Sequence, residues 1–257
     1  MQAIVLSAGQ GKRLLPYTAR QPKCLLCVDG ERSMLEVQLR ALVRCGIERA
    51  TILVGFGAST VDHFVATTPI PGLVVETLYN PFYALSDNLA TCWVALHRMD
   101  REFVLLNGDT IFEDRVLRRL LEAPPSPITV AIDHKASYDD DDMKVSIDTE
   151  GRLLAIGKTL KPEIVNGESI GMLCFRRSGP RYFRSVIERT MREPEALKLW
   201  YLSVVNEIAQ DTAVDTASVR GLWWREIDEL TDLEEARRSF PSRSDRPSAR
   251  LSAVGSS

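Results

Sequence analysis

The sequence predicts an α/β protein with a mixed, mainly parallel sheet flanked by helices. Short apolar, β-branched runs alternate with helical patterns through the first half of the chain, which implies βαβ units with a ligand site beyond the carboxyl ends of the strands. From Ile128 onward the pattern shifts to hairpin-like strands, so a small β-rich subregion is expected there. A chain of 257 residues with 45% hydrophobic side chains can bury a substantial core as one domain.

Gln2 to Ser7 (QAIVLS) reads as a buried strand running into AGQGKRLLPYTARQPKCL, Ala8 to Leu25. Gly9 and Gly11 leave no Cβ in the way of a sharp turn or an approaching ligand. Lys12, Arg13 and Lys23 then add charge, Arg13 as a planar fork of donors and Lys23 as a compact point charge. Such a loop suits a polyphosphate, although an ordinary glycine turn with solvated cations has the same composition. A dinucleotide fingerprint is excluded, because Leu14 replaces the third glycine and Pro16 falls in the helix that should follow. No P-loop motif occurs. Cys24 and Cys27 form a C-x-x-C without a second pair, and with Leu25, Leu26 and Val28 they read as a short core strand; five scattered cysteines suit reduced thiols.

Ser33 to Cys45 carries apolar residues at helical spacing, with Ser33 as cap and Gly46 as stop. Ala50–Val54 reads as a strand, Ser59–Ala66 as a helix and Leu73–Leu78 as a strand. Asn80 opens a turn, and a helix starts near Asp87 or Asn88; Asn88 is either part of its cap or a group facing the site. Trp93 reads as a core aromatic. The strand Phe103–Leu106 ends in Asn107-Gly108-Asp109, which puts Asp109 on the same side as the glycine loop. A lone Asp there could cap the helix starting at Glu113, but beside that loop it reads as a magnesium ligand, since Mg²⁺ takes only one or two protein carboxylates.

Ile128–Asp133 reads as a strand, Tyr138–Asp142 (YDDDD) as an acidic loop, and Met143–Asp148 with Gly151–Gly157 as a hairpin flanked by Lys144 and Lys158. The aspartates read as a solvated turn, with attraction of a cationic group as the functional alternative. Lys144 reads as a surface lysine. Glu168–Phe175 reads as a central strand in which Gly171 permits close approach. Helices follow at Arg181–Met191 and Ala196–Ala209, then strands at Val214–Val219 and Trp223–Ile227. Alternation places Trp224, Glu226 and Asp228 on one face, where the two carboxylates repel unless a magnesium ion or an arginine lies between them. Thr231 and Glu234 stand in capping-box spacing at the start of a last helix. From Pro241 the composition is that of a disordered tail over 241–257.

A net charge of −3 argues against a nucleic-acid backbone or an anionic membrane as partner. No apolar run approaches 18 residues and no signal peptide is legible, so a cytoplasmic location is expected.

LSAGQGKRLLPYTARQPKCLL, NPFYALSDNLATCW, LLNGDTIF, DDMKV, GKTL, GESIGMLCF and WREIDELTDLEEAR together resemble, in order and over nearly the whole chain, the nucleotidyltransferase superfamily. The similarity is greatest to bacterial CTP:phosphocholine cytidylyltransferases and to relatives acting on inositol phosphate or on aminoalkyl and hydroxyalkyl phosphonates. The resemblance implies a Rossmann-like, GT-A type fold over 1–240, with a nucleotide-binding part over about 1–130 and an acceptor-binding part over about 131–240. It further implies that Arg13 and Lys23 hold the triphosphate as the catalytic pair, that Ala8, Gly9, Gly11 and Asn88 bind the nucleotide, and that Asp109 and Asp228 hold Mg²⁺. Lys158 would meet the acceptor's phosphoryl group, with Glu168 and Glu226 also on the acceptor side. CTP and a small phosphate or phosphonate are the expected partners; a homodimer stays open.

The anionic acceptor oxygen would attack the α-phosphorus of CTP and displace pyrophosphate without a general base, which agrees with the absence of His from these motifs. A quaternary ammonium on the acceptor would favour an aromatic cage from among Tyr83, Trp93, Tyr138, Trp200, Tyr201 and Trp223. A primary amine would favour carboxylates such as Asp87, Asp140 and Glu168. Two other readings stay open: a sugar-1-phosphate or inositol-phosphate nucleotidyltransferase using UTP, GTP or CTP, and a silent nucleotide-binding subunit.

Overall fold

A computed structural model describes residues 1–241; of the expected tail, all but Pro241 lies outside the described residues. In chain order the strands are β1 (Gln2–Ser7), β2 (Arg49–Val54), β3 (Val74–Tyr79), β4 (Phe103–Asn107), β5 (Thr110–Phe112), β6 (Ile128–Asp133), β7 (Lys144–Ile147), β8 (Leu153–Ile156), β9 (Gly167–Phe175), β10 (Asp215–Ser218) and β11 (Trp224–Glu226). The α-helices are α1 (Met34–Arg44), α2 (Ala58–Thr67), α3 (Asn88–Val94), α4 (Asp114–Glu122), α5 (Gly179–Thr190), α6 (Tyr201–Asp211) and α7 (Leu230–Ser239).

The main sheet runs β10-β6-β9-β4-β1-β2-β3. Strands β4, β1, β2 and β3 pair in parallel, and β9 runs antiparallel between β4 and β6. The β7–β8 hairpin hangs from β9 and forms the expected β-rich subregion. Side chains alternate across β1: Ala3 and Val5 join the core under α1 and α4, while Ile4 joins the core under α3, α5 and α6. Helices therefore cover both faces, and β1 and β4 are apolar almost throughout.

Five sequence expectations need correction. Cys24–Val28 is no strand: after Pro22, Lys23–Leu25 forms a 3₁₀ turn, and Cys27 makes only an isolated bridge to Ser33. Ala196–Ala209 is not one helix, because a 3₁₀ turn at Pro194–Lys198 is separated from α6 by extended Leu199 and Trp200. The start of α3 causes that break: Asp87 and Leu89 N–H groups donate to Leu197 and Leu199 carbonyls, and Asn88 Oδ1 accepts the Tyr201 N–H. The last helix is capped by Glu229 with Asp232, not by Thr231 with Glu234, since Asp232 Oδ2 takes the N–H groups of Asp228 and Glu229. Trp93 is 43% exposed on α3 and is not a core residue. Lys144 is buried, its ammonium donating to the Lys158 carbonyl at 3.0 Å. Among the described residues, no helix is long and apolar enough to cross a membrane.

Candidate active site

The carboxyl ends of β1 and β4 lie side by side, and two glycines let them come close. Gly108 N–H donates to the Leu6 carbonyl at 2.9 Å, and a Cβ at Gly108 would stand 2.2 Å from Ser7 Oγ. Gly11 takes φ +68°, and a Cβ there would press within 3.0 Å of the Lys23 stem. Thr18 Oγ1 donates to the Gly11 carbonyl and pins the loop at its far side.

Lys23 and Asp109 are thereby brought together, and the β5–β11 ribbon supplies the third part. Glu226 pairs with Thr110 across that ribbon, and the Ile227 N–H donates to the Asp109 carbonyl at 3.0 Å, which sets Asp228 beside Asp109. Lys23 Nζ donates to Asp109 Oδ2 at 3.0 Å and to Asp228 Oδ1 at 2.6 Å. Arg13 donates to Asp228 Oδ2 at 2.7 Å and to Asp141 Oδ2 at 3.0 Å. Oxygens of Asp109, Glu226 and Asp228 lie within 4.8 Å of one another. Asp109 Oδ1 is buried with no hydrogen-bond partner, so these carboxylates fit a hard divalent cation that keeps some of its own water or phosphate ligands.

The electrostatics agree with the crowding. Burial lowers the Lys23 ammonium's pKa, but the charges of Asp109 and then Asp228 outweigh it, leaving Lys23 above an ordinary lysine. Glu226 lines the acidic cleft and is exposed to solvent, yet crowded by protein; desolvation, then the charges of Asp109 and Asp228, push it up to about 8. Glu226, expected on the acceptor side, lines the acidic cleft and also lies with the two aspartates.

Three cavities meet here. Ala8, Gly9 and Asn88 line one of about 220 Å³ with Asn107, Asp109 and Trp200. Gly11, Lys12 and Arg13 line a second of about 530 Å³, and Tyr83 borders both. Arg13 and Asp228 border the second and also a third, of about 860 Å³, walled by Asp139–Asp142, Glu168, Glu226 and Glu229 against only Arg13, Lys135 and Arg225. All the residues assigned to nucleotide binding from sequence therefore fall along one furrow. Asn88 also has a structural task, the bond to Tyr201.

On the acidic side, Lys158 Nζ lies 3.2 Å from Asp141 Oδ1 and 4.8 Å from the Trp200 ring centroid. Lys158 and Arg13 thus share Asp141, whose carboxyl they hold below its usual range. Glu168 is 3% exposed; Lys135 pairs with its Oε2 at 2.7 Å, while Oε1 has no partner. Burial, opposed by Lys135 and helped by Asp142, pushes Glu168 up to about 7. The six candidate cage aromatics do not gather at one place. Trp223 packs edge-on against Phe240, Tyr201 is buried with its hydroxyl on Asn107, Trp200 lies under Lys158, Trp93 points outward, Tyr83 borders the two cavities on the glycine-loop side, and the Tyr138 hydroxyl accepts the Lys135 N–H. Trp224 is the one aromatic ring in the acidic cleft, its indole N–H donating to Asp133.

Asp141 and Lys135 escaped the sequence reading. A run of four aspartates carries no mark of which one bridges two distant cations, and Lys135 becomes notable only through Glu168, a strand away.

Comparison with known proteins places the chain in a family. The chain is 33% identical over 131 residues to CMP-5'-(3-aminopropyl)phosphonate synthase of Streptomyces rubellomurinus, covering 51% of the chain but 20% of that relative, and so spans only part of its length. It is 23% identical over 232 residues to 2-aminoethylphosphonate cytidylyltransferase of Lancefieldella rimae, covering 90% and 89% of the two chains. The solved structure of CTP:phosphocholine cytidylyltransferase from Streptococcus pneumoniae superimposes with a TM-score of 0.73 at 18% identity, over 92% of this chain and 97% of that one, and supports the fold. The family profile of the MobA-like NTP transferase domain matches residues 3–194, three quarters of the chain and every part of the furrow up to β9; the chain belongs to that family.

Proposed function

We propose that this chain is a magnesium-dependent cytidylyltransferase that transfers CMP from CTP to a small phosphate or phosphonate bearing a protonated primary amine. The observation that carries the reading is the meeting of Lys23 with Asp109, Glu226 and Asp228 at the mouth of the β1 loop, open on one side to a carboxylate-walled cleft. The names of two relatives, both aminoalkylphosphonate enzymes, support the choice of acceptor.

In this reading Ala8, Gly9 and Asn88 border the base, and Gly11, Arg13 and Lys23 meet the triphosphate. Asp109 and Asp228, with Glu226 beside them, would hold the metal, which when bound would supply Lewis-acid charge to offset that of the reacting phosphates. Lys158 orients the acceptor's phosphoryl group. An acceptor oxygen, already anionic, forms a bond to the α-phosphorus while the bond from that phosphorus to the bridging oxygen breaks, and the electron pair leaves with pyrophosphate. No proton needs removal, so the cations act by positioning and by offsetting repulsion between two polyanions. The acceptor's ammonium faces Glu168 and Asp142, which share Lys135 and would exchange part of that pairing for its hydrogen bonds, whereas a quaternary ammonium would find a single indole in this cleft.

Pyrophosphate release with Mg²⁺ tests this, using CTP, UTP or GTP against 2-aminoethylphosphonate, phosphoethanolamine, phosphocholine, 2-hydroxyethylphosphonate, inositol phosphate and a sugar 1-phosphate. CTP with the two amines should give the highest kcat/KM. A clear preference for UTP with a sugar 1-phosphate would replace the reading, and silence with every pair would leave a nucleotide-binding subunit.

A further inference from the structure

Lys23 raises a question that phosphate binding does not answer: its ammonium lies against the carboxylates assigned to the metal. It is 3.0 Å from Asp109 Oδ2 and 2.6 Å from Asp228 Oδ1, with its side chain 12% exposed. The stem is fixed by the 3₁₀ turn after Pro22 and by Gly11, which lies close against its Cβ and Cδ. Beyond Cδ only Cε and the ammonium remain to turn, and the glycine loop borders them. A divalent cation binding Asp109 and Asp228 therefore competes with an ammonium that the protein supplies itself.

We propose that Lys23 is a tethered cation that occupies the divalent-metal position until a polyphosphate draws it away, so that metal and nucleoside triphosphate bind with positive coupling. With no triphosphate present, an incoming divalent ion must expel Lys23 from two of its hydrogen bonds and leave the ammonium without an anion. When a triphosphate lies along Gly9–Arg13, the displaced ammonium gains phosphate oxygens and the metal gains the vacated carboxylate oxygens. Each ligand removes the obstacle to the other, and the coupling is reciprocal by linkage. The device also offsets repulsion among Asp109, Glu226 and Asp228 before any cation binds. This inference rests on the proposed assignment of Asp109 and Asp228 to the metal.

The test is Mn²⁺ binding, followed by electron paramagnetic resonance on the nucleotide-free protein, for wild type, Lys23→Met, Lys23→Gln and Lys158→Met. The glutamine variant keeps a polar group at the carboxylates in case the methionine variant does not fold. Both Lys23 variants should bind Mn²⁺ at least tenfold more tightly than wild type. Lys158→Met, the same charge change at a lysine paired with Asp141, should shift affinity less than threefold. Adding α,β-methylene-CTP should tighten Mn²⁺ binding in wild type by a larger factor than in Lys23→Gln. Unchanged or weaker Mn²⁺ binding in folded Lys23 variants would overturn the proposal, as would an equal gain in Lys158→Met. If no variant binds Mn²⁺ even with the analogue, the metal assignment itself fails.

Discussion

Replacing Asp109 by Asn isolates the metal assignment, because it removes one charge and keeps the side chain's shape. Two unit charges about 4 Å apart at an effective dielectric of about 20 interact by about 4 kcal/mol. At about 1.4 kcal/mol per tenfold in rate, losing that interaction in the transition state lowers turnover by roughly a thousandfold. Asp109 is 28% exposed, and solvent screening trims this to between about a hundredfold and a thousandfold. The fold should hardly notice: Lys23 keeps its 2.6 Å bond to Asp228, and the crowding that raises Glu226 is relieved. The variant should therefore melt within about 4 °C of wild type, the shift expected for about 1 kcal/mol in a domain of this size. Steady-state pyrophosphate release under saturating Mg²⁺, with a thermal melt on the same sample, gives both numbers. A folded variant within threefold of wild-type kcat/KM would refute the assignment of Asp109.

Three further substitutions probe the neighbouring parts. Lys158→Ala should raise the acceptor KM about tenfold or more and leave the KM for CTP within twofold, so an equal rise in both would mean that Lys158 serves the nucleotide. Gly108→Ala would drive a methyl group to 2.2 Å from Ser7 Oγ and 2.6 Å from the Leu6 carbonyl, which overpacks the β1–β4 junction. A loss of about 1–3 kcal/mol is expected from urea unfolding, and an unchanged midpoint would show that the two strand ends are not held as described. Glu168 is raised from 4.5 to about 7 in the fold, chiefly by burial, so between those values the folded state holds a proton that the unfolded chain has lost. Stability should accordingly fall as pH rises through that window and level off above it. Glu168→Gln should flatten this part of the curve, and parallel curves for variant and wild type would show that Glu168 ionises normally.

Much of this site was legible in the sequence because its parts sit at strand ends. Asp109 follows an apolar strand, and the glycine loop follows another; in a parallel sheet the carboxyl ends of neighbouring strands share one edge, so the two had to meet. Asp228 was readable from alternation in the last strand, although only the β5–β11 pairing fixes its distance from Asp109. What the sequence concealed depends on contacts between distant segments. The break before α6 comes from Asn88 capturing the Tyr201 N–H, and the depth of Lys144 comes from the hairpin lying against β9. Asp141 and its three neighbours are chemically identical, and their different roles follow from loop shape alone.

That loop shape bears on why the site can exist without ligands. The pocket proposed to take two polyanions and a divalent metal concentrates both cations and carboxylates, and each set left unpaired would repel itself. Here the sets neutralise one another: Asp141 stands between Arg13 and Lys158, and Lys23 stands between Asp109 and Asp228. Under the proposed function, binding would exchange internal pairs for external ones, with phosphate replacing Asp141 at the two cations and metal replacing Lys23 at the two aspartates. Because Asp141 is largely exposed and Lys23 is not, the two exchanges differ in difficulty. Release of Lys158 exchanges a weak, screened pair, while release of Lys23 breaks two half-buried pairs, and Arg13 also gives up its 2.7 Å pair with Asp228. The sensitivity of the site to which ligand arrives first therefore lies more with Lys23 and Arg13, the two cations on Asp228, than with the acidic loop.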